Sequence, residues 1–296
     1  MRYRFLTLAV VMMLTFILGV AQEQRTTGDR VDVEAPEKFR ANRTSYSAIM
    51  DVLRSSRENI TVSDSQLEQL RTMQLEDIWS ALGDYRINYV RGFHSTQPGQ
   101  RIAGRALTMR FLPPRPDFVE AIDTLSKEGD WDRRYYARAS EEVSPGDIVV
   151  AELGGTNGHI LFGGMGALGI KLRGAAGVII DGGSRDLAEL TSDTFDGFPI
   201  FARFFDVQTT RWLGTEWNAP IRIGTATVLP GDIVVADETG ILFFPPELVE
   251  TVLRSATERE KIEEYERQLL QTGQHRFRDV YPLSPYLRQF YDQIRR

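Results

Sequence analysis

The stretch Gly177–Asp186, GVIIDGGSRD, decides the fold class and locates the candidate site. The apolar, β-branched run Gly177–Asp181 predicts a short strand, and Gly182-Gly183 predicts a turn at its end. Arg185 and Asp186 then lie beyond the carboxyl end of a strand, the edge where α/β sheets usually bind ligands. The strands and helices predicted over residues 65–245 together indicate an α/β layered domain.

The Arg185-Asp186 pair predicts the chemistry of the site. An arginine can bind a carboxylate through two parallel hydrogen bonds, and a neighbouring aspartate can hold a hard cation. We therefore expect a 2-oxo acid whose carboxylate lies on Arg185, with Mg²⁺ or Mn²⁺ beside Asp186. The alternative is an aspartate that caps a helix next to a solvated arginine.

The segment around this strand is rich in glycine, because residues 154–183 contain 11 of the 25 glycines of the chain. Glycine at this density lets backbone amides approach an anion closely. Gly164–Gly169, GMGALG, matches the G-x-G-x-x-G fingerprint, so an NAD(P)-binding oxidoreductase is one alternative. The apolar run before it, Ile160–Phe162, is short, and Gly174 limits the following helix, which weakens that alternative. In another interpretation, these glycines only allow tight packing of a helix on the sheet.

Two identical segments, PGDIVVA at Pro145–Ala151 and at Pro230–Ala236, each predict a Pro-Gly turn that leads into a strand. An acidic residue follows each segment, Glu152 in the first and Asp237 in the second. Two copies are too few for a repeat architecture, so we expect two similar strand entries in one sheet. Asp237–Gly240 then predicts a hairpin turn.

Other elements follow from local patterns. Ser65 and Glu68 predict a capping box that begins a helix with apolar residues as far as Leu82. The segments Arg101–Leu112 and Ile221–Val228 each predict a strand.

The N-terminus has the pattern of an export signal. Basic residues precede the apolar run Phe5–Val20, and the small residues Gly19–Ala21 suit cleavage. We expect a signal peptide over residues 1–21 and an exported protein, periplasmic or secreted, without a membrane span after cleavage. An uncleaved anchor is the alternative. Residues 22–47 are polar and predict a disordered tether.

Beyond the tether, we expect one α/β domain over residues 48–246 with peripheral helices at both ends. Residues 113–143 are charged and aromatic, and they predict an inserted segment within this domain. Residues 247–296 predict a C-terminal helical extension.

Composition excludes several classes of function. The chain has a formal net charge of −6 and no basic cluster, so we expect no nucleic-acid partner. It contains no cysteine, which excludes disulfides, thiolate catalysis, iron–sulfur clusters and cysteine-ligated zinc. With three histidines, a metal site must depend on carboxylates, carbonyls and water, which suits Mg²⁺, Mn²⁺ or Ca²⁺ better than Zn²⁺.

Residues from about 70 to 245 resemble the RraA-like family, which includes 4-hydroxy-4-methyl-2-oxoglutarate aldolases and the regulator of ribonuclease activity A. The resemblance depends on the order and spacing of LEDIWSALG at Leu75–Gly83, RIAGRALTMRF at Arg101–Phe111, the Pro-Gly-Asp strand, FGGMGA at Phe162–Ala167, GVIIDGGSRD at Gly177–Asp186 and FPIFAR at Phe198–Arg203. It implies a swivelling β/β/α-type sandwich, a homotrimer or a hexamer built from trimers, and a site between subunits.

The resemblance also implies a role for each site residue. Arg185 binds the carboxylate of a pyruvyl group, and Asp186 binds the divalent metal. Glu189 completes an Arg-Asp-x-x-Glu spacing. The backbone amides that bind the substrate belong to the loop formed by Gly163, Gly164, Met165 and Gly166.

The chain departs from the aldolases at Gly164, where they carry an acid that helps to remove the hydroxyl proton of the substrate. The candidates to replace that acid are Glu152, His159 and, from a neighbouring subunit, Asp237 and Glu238. Decarboxylation of oxaloacetate needs no such base, only stabilisation of the pyruvate enolate. The sequence therefore predicts a metal-dependent lyase that cleaves a C–C bond in a 2-oxo acid and releases pyruvate. The main alternative is an exported RraA-like protein that binds or regulates without catalysis.

Overall fold

The computed structural model describes residues 46–57, 60–125, 135–155, 159–208 and 212–294. The predicted signal peptide (1–21) lies outside these residues, and so does the predicted tether up to residue 45. The chain divides into two compact units, Met1–Glu58 and Asn59–Arg296. The described residues of the first unit form helix α1 (Tyr46–Arg57).

The helices of the second unit lie before, between and after its strands. They are α2 (Asp64–Thr72), α3 (Leu75–Ala81), α4 (Pro116–Leu125), α5 (Tyr135–Glu142), α6 (Gly164–Leu172), α7 (Leu187–Leu190), α8 (Val249–Gln271), α9 (Phe277–Val280) and α10 (Pro285–Ile294). Among the helices in the described ranges, none has the length and apolar character that crossing a membrane requires.

Most strands of this unit belong to one mixed sheet. The strands are β1 (Tyr89–Val90), β2 (His94–Ser95), β3 (Ile102–Leu112), β4 (Asp147–Glu152), β5 (Gly177–Ser184), β6 (Ile200–Phe205), β7 (Leu213–Trp217), β8 (Ile221–Ile223), β9 (Ala226–Val228), β10 (Ile233–Ala236) and β11 (Ile241–Phe244). Within the described residues, the sheet has the order β1-β11-β10-β3-β4-β5-β6-β2, and β7 also pairs with β3. Strands β8 and β9 form a separate hairpin.

The long strand β3 organises the sheet. Strand β4 runs parallel to it, and β5 and β6 continue the parallel series. On the other side of β3, its first half pairs antiparallel with β10 and its second half pairs antiparallel with β7. Parallel strands end at the same edge, so Glu152 at the end of β4 lies opposite Asp181 in β5. Arg185 follows β5 directly at that edge.

The two faces of the sheet are covered differently. Alternate residues of β4 and β5 point to opposite faces, as the pleat of a strand requires. On one face, a buried cluster joins the sheet to the β8–β9 hairpin through Ile148, Val150, Ile179, Ile221 and Val228. On the other face, α5 and α6 cover the sheet residues Val149, Val178 and Ile180 with the buried residues Ala139, Ala167 and Ile170. The layering confirms the predicted β/β/α-type sandwich.

The two PGDIVVA segments become β4 and β10, on either side of β3. Gly146 and Gly231 both have a φ of 80°, in the left-handed region that favours glycine. In each turn, the aspartate carboxylate accepts a hydrogen bond from the N–H three residues earlier, at 3.0 Å for Asp147 and 2.8 Å for Asp232. The expectation of two similar strand entries in one sheet is confirmed.

The predicted turn at Gly182-Gly183 is wrong, because β5 continues through both glycines to Ser184. A Cβ atom at position 182 would lie 2.7 Å from Cβ of Leu153, and one at position 183 would lie 2.5 Å from the Phe204 ring. These glycines are needed because neighbouring side chains leave no room for a larger residue. They do not reverse the chain.

Two further local predictions need correction. The capping box lies two residues earlier than predicted, because the Ser63 hydroxyl accepts a hydrogen bond from the Gln66 N–H and the Gln66 side chain accepts one from the Ser63 N–H. The single helix expected after it is two helices, α2 and α3, since Met73 has an extended backbone. The strand expected over Ile221–Val228 is the β8–β9 hairpin, whose turn contains Gly224 at a φ of 54°.

Two buried carboxylates connect the long helix α8 to neighbouring segments. In α3, Asp77 is buried and forms an ion pair of 2.6 Å with Arg259 of α8. Burial raises the pKa of Asp77, and repulsion from Glu263 adds to that shift. Near the end of α8, buried Glu266 accepts a hydrogen bond of 3.0 Å from the Leu283 N–H, and burial raises the pKa of its carboxyl.

We predict that Glu266→Gln stabilises the protein at neutral and alkaline pH. A raised pKa means that the folded chain binds a proton at Glu266 more readily than the unfolded chain. The stability of the protein therefore rises as the pH falls through the range around this raised pKa. The glutamine keeps an oxygen that can accept from Leu283 but carries no buried charge. Thermal unfolding from about pH 5 to about pH 8 should show a gain of a few degrees at the alkaline end and a weaker pH dependence. Exposed Glu264→Gln is the control, and an equal gain in that variant would contradict the account.

Candidate active site

The end of β5 is joined to the segment that precedes α6. The buried Ser184 hydroxyl donates a hydrogen bond of 3.0 Å to the Phe162 carbonyl, and the Arg185 N–H donates to the same oxygen at 3.2 Å. An isolated parallel bridge joins Ile160 to Gly183. The glycine-rich segment therefore runs beside the carboxyl end of β5, and it brings the start of α6 to Arg185.

Asp186 has an unusual backbone conformation. Its φ of 60° and ψ of 38° lie in the left-handed region, which non-glycine residues seldom adopt, although aspartate does so more often than most. Its carbonyl accepts hydrogen bonds from the N–H groups of Glu189 and Leu190, at 2.9 and 3.0 Å. Its carboxylate accepts one of 3.0 Å from the Gly164 N–H. Such a conformation persists when several contacts fix it, and it frequently marks a functional position.

Gly163 and Gly164 leave space for three charged side chains. A Cβ atom at position 163 would overlap the Asp186 carboxylate and lie 2.8 Å from Nε of Arg185. A Cβ atom at position 164 would overlap the Glu189 carboxylate. One guanidinium and two carboxylates therefore converge on the backbone of these two glycines.

The first turn of α6 offers two unused hydrogen-bond donors. The Gly164 N–H is used by Asp186, and the Ala167 N–H donates to the Gly163 carbonyl. The N–H groups of Met165 and Gly166 have no partner among the described residues. Free N–H groups at the start of a helix attract anions.

The charged groups of the site are accessible. The side chains of Arg185 and Asp186 are 39% and 40% exposed, and their closest charged atoms are 3.5 Å apart. In the part of the chain that the structure describes, the Arg185 guanidinium has no other charged partner. It is therefore free to bind an incoming carboxylate.

The site fits a divalent cation only if substrate and water complete the coordination. Within the described ranges, no three His, Asp or Glu side chains converge closely enough to hold a metal ion by themselves. Asp186 and Glu189 supply two carboxylates next to the same backbone segment. Mg²⁺ is commonly bound by one or two carboxylates while it keeps several other oxygen ligands. The donor set therefore fits the predicted Mg²⁺ or Mn²⁺.

Two of the candidates to replace the missing acid, Glu152 and Asp237, form ion pairs within the described part of the chain. Glu152 accepts hydrogen bonds from Arg110 at 2.8 Å and from the Arg222 N–H at 2.9 Å. Asp237 pairs with Arg101 at 3.3 Å. Glu238 is exposed in the β10–β11 turn, beside Asp237.

His159 packs in an aromatic contact. The centroid of its ring lies 3.7 Å from that of the Trp212 ring, and its buried Nδ1 has no hydrogen-bond partner among the residues that the structure describes. Burial lowers the pKa of His159, which favours the neutral imidazole.

Sequence reasoning missed that Glu189 occupies the space beside Gly164. The sequence contained a signal for this contact. Glycine stands at position 164, where the aldolases carry an acid, and Glu189 follows Asp186 by three positions. The ion pair between buried Asp181 and Arg203, at 2.7 Å, was also missed. It joins β5 to β6 and supports the sheet below the site.

Comparisons with known proteins agree with this architecture. The model of the RraA-like family, described as Aldolase/RraA, matches residues 61–243. The 4-hydroxy-4-methyl-2-oxoglutarate aldolase of Thermus thermophilus is 28% identical over 144 residues, which cover 48% of this chain and 85% of that protein. A Halalkalibacterium halodurans protein provisionally named as the same aldolase is 32% identical over 129 residues, which cover 43% of this chain and 60% of that protein.

Solved structures show the same fold. Streptomyces coelicolor RraAS2, described as an unusual member of the RNase ES inhibitor RraA protein family, superimposes with a TM-score of 0.57 at 25% identity, over 70% of this chain and 99% of that one. An uncharacterized protein from Pseudomonas syringae superimposes with a TM-score of 0.63 at 21% identity, over 75% of this chain and 95% of that one.

We predict that alanine at position 163 destabilises the protein far more than alanine at position 164. Gly163→Ala must displace both Arg185 and Asp186, for a loss of about 1–3 kcal/mol. Gly164→Ala displaces only the exposed, flexible end of Glu189, for a loss below about 1 kcal/mol. Thermal unfolding of both variants checks this prediction. When Asp186→Ala is already present, the stability lost on adding Gly163→Ala should be smaller. Equal losses for the two single variants would refute the proposed contacts.

Proposed function

The chain belongs to the RraA-like family, and from that membership we propose that it is a lyase that cleaves a C–C bond in a 2-oxo acid and releases pyruvate. The observation that carries the proposal is the convergence of Arg185, Asp186 and Glu189 on Gly163 and Gly164. The names of its aldolase relatives support the same reaction class.

Arg185 and the start of α6 would bind the carboxylate of the 2-oxo acid. The guanidinium is accessible and can form two parallel hydrogen bonds with a carboxylate. The N–H groups of Met165 and Gly166, which have no partner in the described part of the chain, add two donors at the positive end of a helix. These groups together favour an acid with one or two carboxylates. Its keto carbon would lie next to the carboxylates of Asp186 and Glu189.

Asp186 would hold Mg²⁺ or Mn²⁺, with substrate and water as the remaining ligands. When bound, such a cation supplies a Lewis acid that stabilises negative charge developing on a substrate oxygen. The left-handed backbone of Asp186 and its hydrogen bond from the Gly164 N–H keep this carboxylate directed at the glycine segment. Arg185 stabilises the same negative charge from the side of the substrate carboxylate.

Glu189 would take the place of the acid that the aldolases carry at position 164. In cleavage of a 4-hydroxy-2-oxo acid, its carboxylate accepts the proton of the C4 hydroxyl, the C3–C4 electron pair becomes part of the pyruvate enolate, and the C4 oxygen forms the new carbonyl. The enolate then takes a proton at C3 to give pyruvate. In oxaloacetate, loss of CO₂ leaves the same enolate without a base. We therefore propose 4-hydroxy-4-methyl-2-oxoglutarate and oxaloacetate as substrates to test.

We also propose that the protein is a homo-oligomer, a trimer or a hexamer, with the site at a contact between subunits. Met165 at the start of α6 and Leu187 in α7 lie near Arg185, and Leu172 ends α6; these residues are 80%, 43% and 78% exposed. Apolar surface of this kind beside a charged site is typical of a surface that another subunit covers.

The prediction that tests this function is loss of pyruvate release in site variants. With Mn²⁺, Arg185→Ala and Asp186→Ala should each lower kcat/KM for oxaloacetate by about 10²–10³-fold, because each removes stabilisation of the enolate. EDTA should abolish the activity and added Mn²⁺ should restore it. Glu189→Gln should reduce aldol cleavage more than decarboxylation, because only the aldol reaction needs a base.

Exposed Arg254→Ala is the control and should behave as wild type. Turnover that is unaffected by EDTA and by both alanine variants would contradict the mechanism. Absence of any turnover, together with tight binding of a 2-oxo acid, would favour the rival interpretation of a non-catalytic binding protein.

A further inference from the structure

We propose that Tyr136 is a positioning residue, which holds the substrate-binding start of α6 in place. This inference rests on the proposed function, because it concerns the N–H groups of Met165 and Gly166 that would bind the substrate. Tyr136 belongs to α5, within the segment 113–143 that is predicted to be an insertion. Helix α5 packs along α6, which carries those N–H groups.

The contact is made at Gly166 itself. A Cβ atom at this position would lie 2.9 Å from Cβ of Phe162 and 3.2 Å from Cδ2 of Tyr136. The two rings meet edge to face, with centroids 6.3 Å apart and planes at 63°. The backbone of Gly166 is therefore held between two aromatic side chains, and a small displacement of Tyr136 would free it to move.

A second contact, one turn further along α6, sets how closely α5 and α6 approach each other. A Cβ atom at Gly169 would lie 2.8 Å from Cβ of Ser140. The Arg173 side chain donates a hydrogen bond of 2.9 Å to the Glu141 carbonyl. Ala139 is completely buried, so α5 is itself fixed against the core. Contacts at two turns set both the position and the rotation of α6.

Rigid placement matters here because substrate binding depends on geometry. The Arg185 guanidinium and the two N–H groups must reach one carboxylate together, and a displacement of about 1 Å can reduce catalysis by as much as about 10²-fold. An aromatic ring suits this task because it has only two side-chain torsions and presents a flat, stiff surface.

Tyr135 provides a matched control on the same helix. Its ring covers Gly214 and contacts the rings of Phe111 and Trp217, at 5.8 and 5.4 Å between centroids. It therefore packs against β3 and β7 and not against Gly166. Removal of Tyr135 should destabilise the protein without changing the start of α6.

The experiment compares Tyr136→Ala, Tyr136→Phe and Tyr135→Ala in the full-length protein. Two readouts are measured, namely KM and kcat for pyruvate release from oxaloacetate with Mn²⁺, and hydrogen–deuterium exchange of the peptide that spans residues 163–167. Tyr136→Ala should raise KM by about tenfold. It should also speed exchange in this peptide, since the hydrogen bonds of the Gly164 and Ala167 N–H groups open more often when the segment can move. Tyr136→Phe keeps the ring, so its KM and exchange should stay much closer to wild type than those of Tyr136→Ala. Tyr135→Ala should lower the melting temperature but leave KM and this exchange unchanged.

A second pair of variants moves α5 without changing Tyr136. Gly169→Ala should push α5 away from α6, with the same changes in KM and exchange as Tyr136→Ala, and added Ser140→Gly should restore both. The inference is wrong if Tyr136→Ala and Tyr135→Ala have the same effect on exchange at residues 163–167. If wild type releases no pyruvate, the proposed function fails while the exchange data still decide whether Tyr136 holds this segment.

Discussion

The candidate site depends on one steric constraint, which is that the backbone of Gly163 and Gly164 lies against the end of β5 with no side chain between them. Any Cβ atom there would overlap the carboxylates of Asp186 or Glu189. The two hydrogen bonds to the Phe162 carbonyl hold this backbone in place. From this arrangement follow the convergence of three charged groups and the position of α6, whose first N–H groups face the same place.

At the carboxyl edge of the sheet, some charged side chains form internal ion pairs, and others remain accessible to a ligand. The carboxyl ends of β3, β4 and β5 carry Arg110, Glu152 and Asp181, and each of these is used in an internal ion pair. Buried carboxylates of this kind need a partner, because an unpaired charge in the interior is very unfavourable. Just beyond them, Arg185 and Asp186 remain accessible. The accessible pair at the end of a parallel strand is therefore the part of the edge that can bind a ligand.

Much of this arrangement could be predicted from the sequence, because its signals are local. The strand Arg101–Leu112, the hairpin at Asp237–Gly240 and the two similar strand entries each depend on residues close together in the chain. The accessible Arg-Asp pair beyond β5 was also predicted.

What could not be predicted depends on residues far apart in the chain. Gly182 and Gly183 resemble a turn, yet they belong to a strand because Leu153 and Phe204 occupy the space beside them. The contact between Gly164 and Glu189 is a three-dimensional relation across 25 positions, and no periodic pattern reports it. The packing of Tyr136 on Gly166 likewise requires the placement of α5, which the sequence indicated only as part of an inserted segment.

The most direct test of the central claim is a crystal structure of the protein with Mn²⁺ and oxalate, a planar analogue of the pyruvate enolate. The account predicts anomalous density for Mn²⁺ beside the carboxylate of Asp186. It also predicts an oxalate carboxylate within hydrogen-bond distance of Arg185 and of the Met165 and Gly166 N–H groups. Mn²⁺ and oxalate bound elsewhere, or a site that stays without either at saturating concentrations, would contradict it.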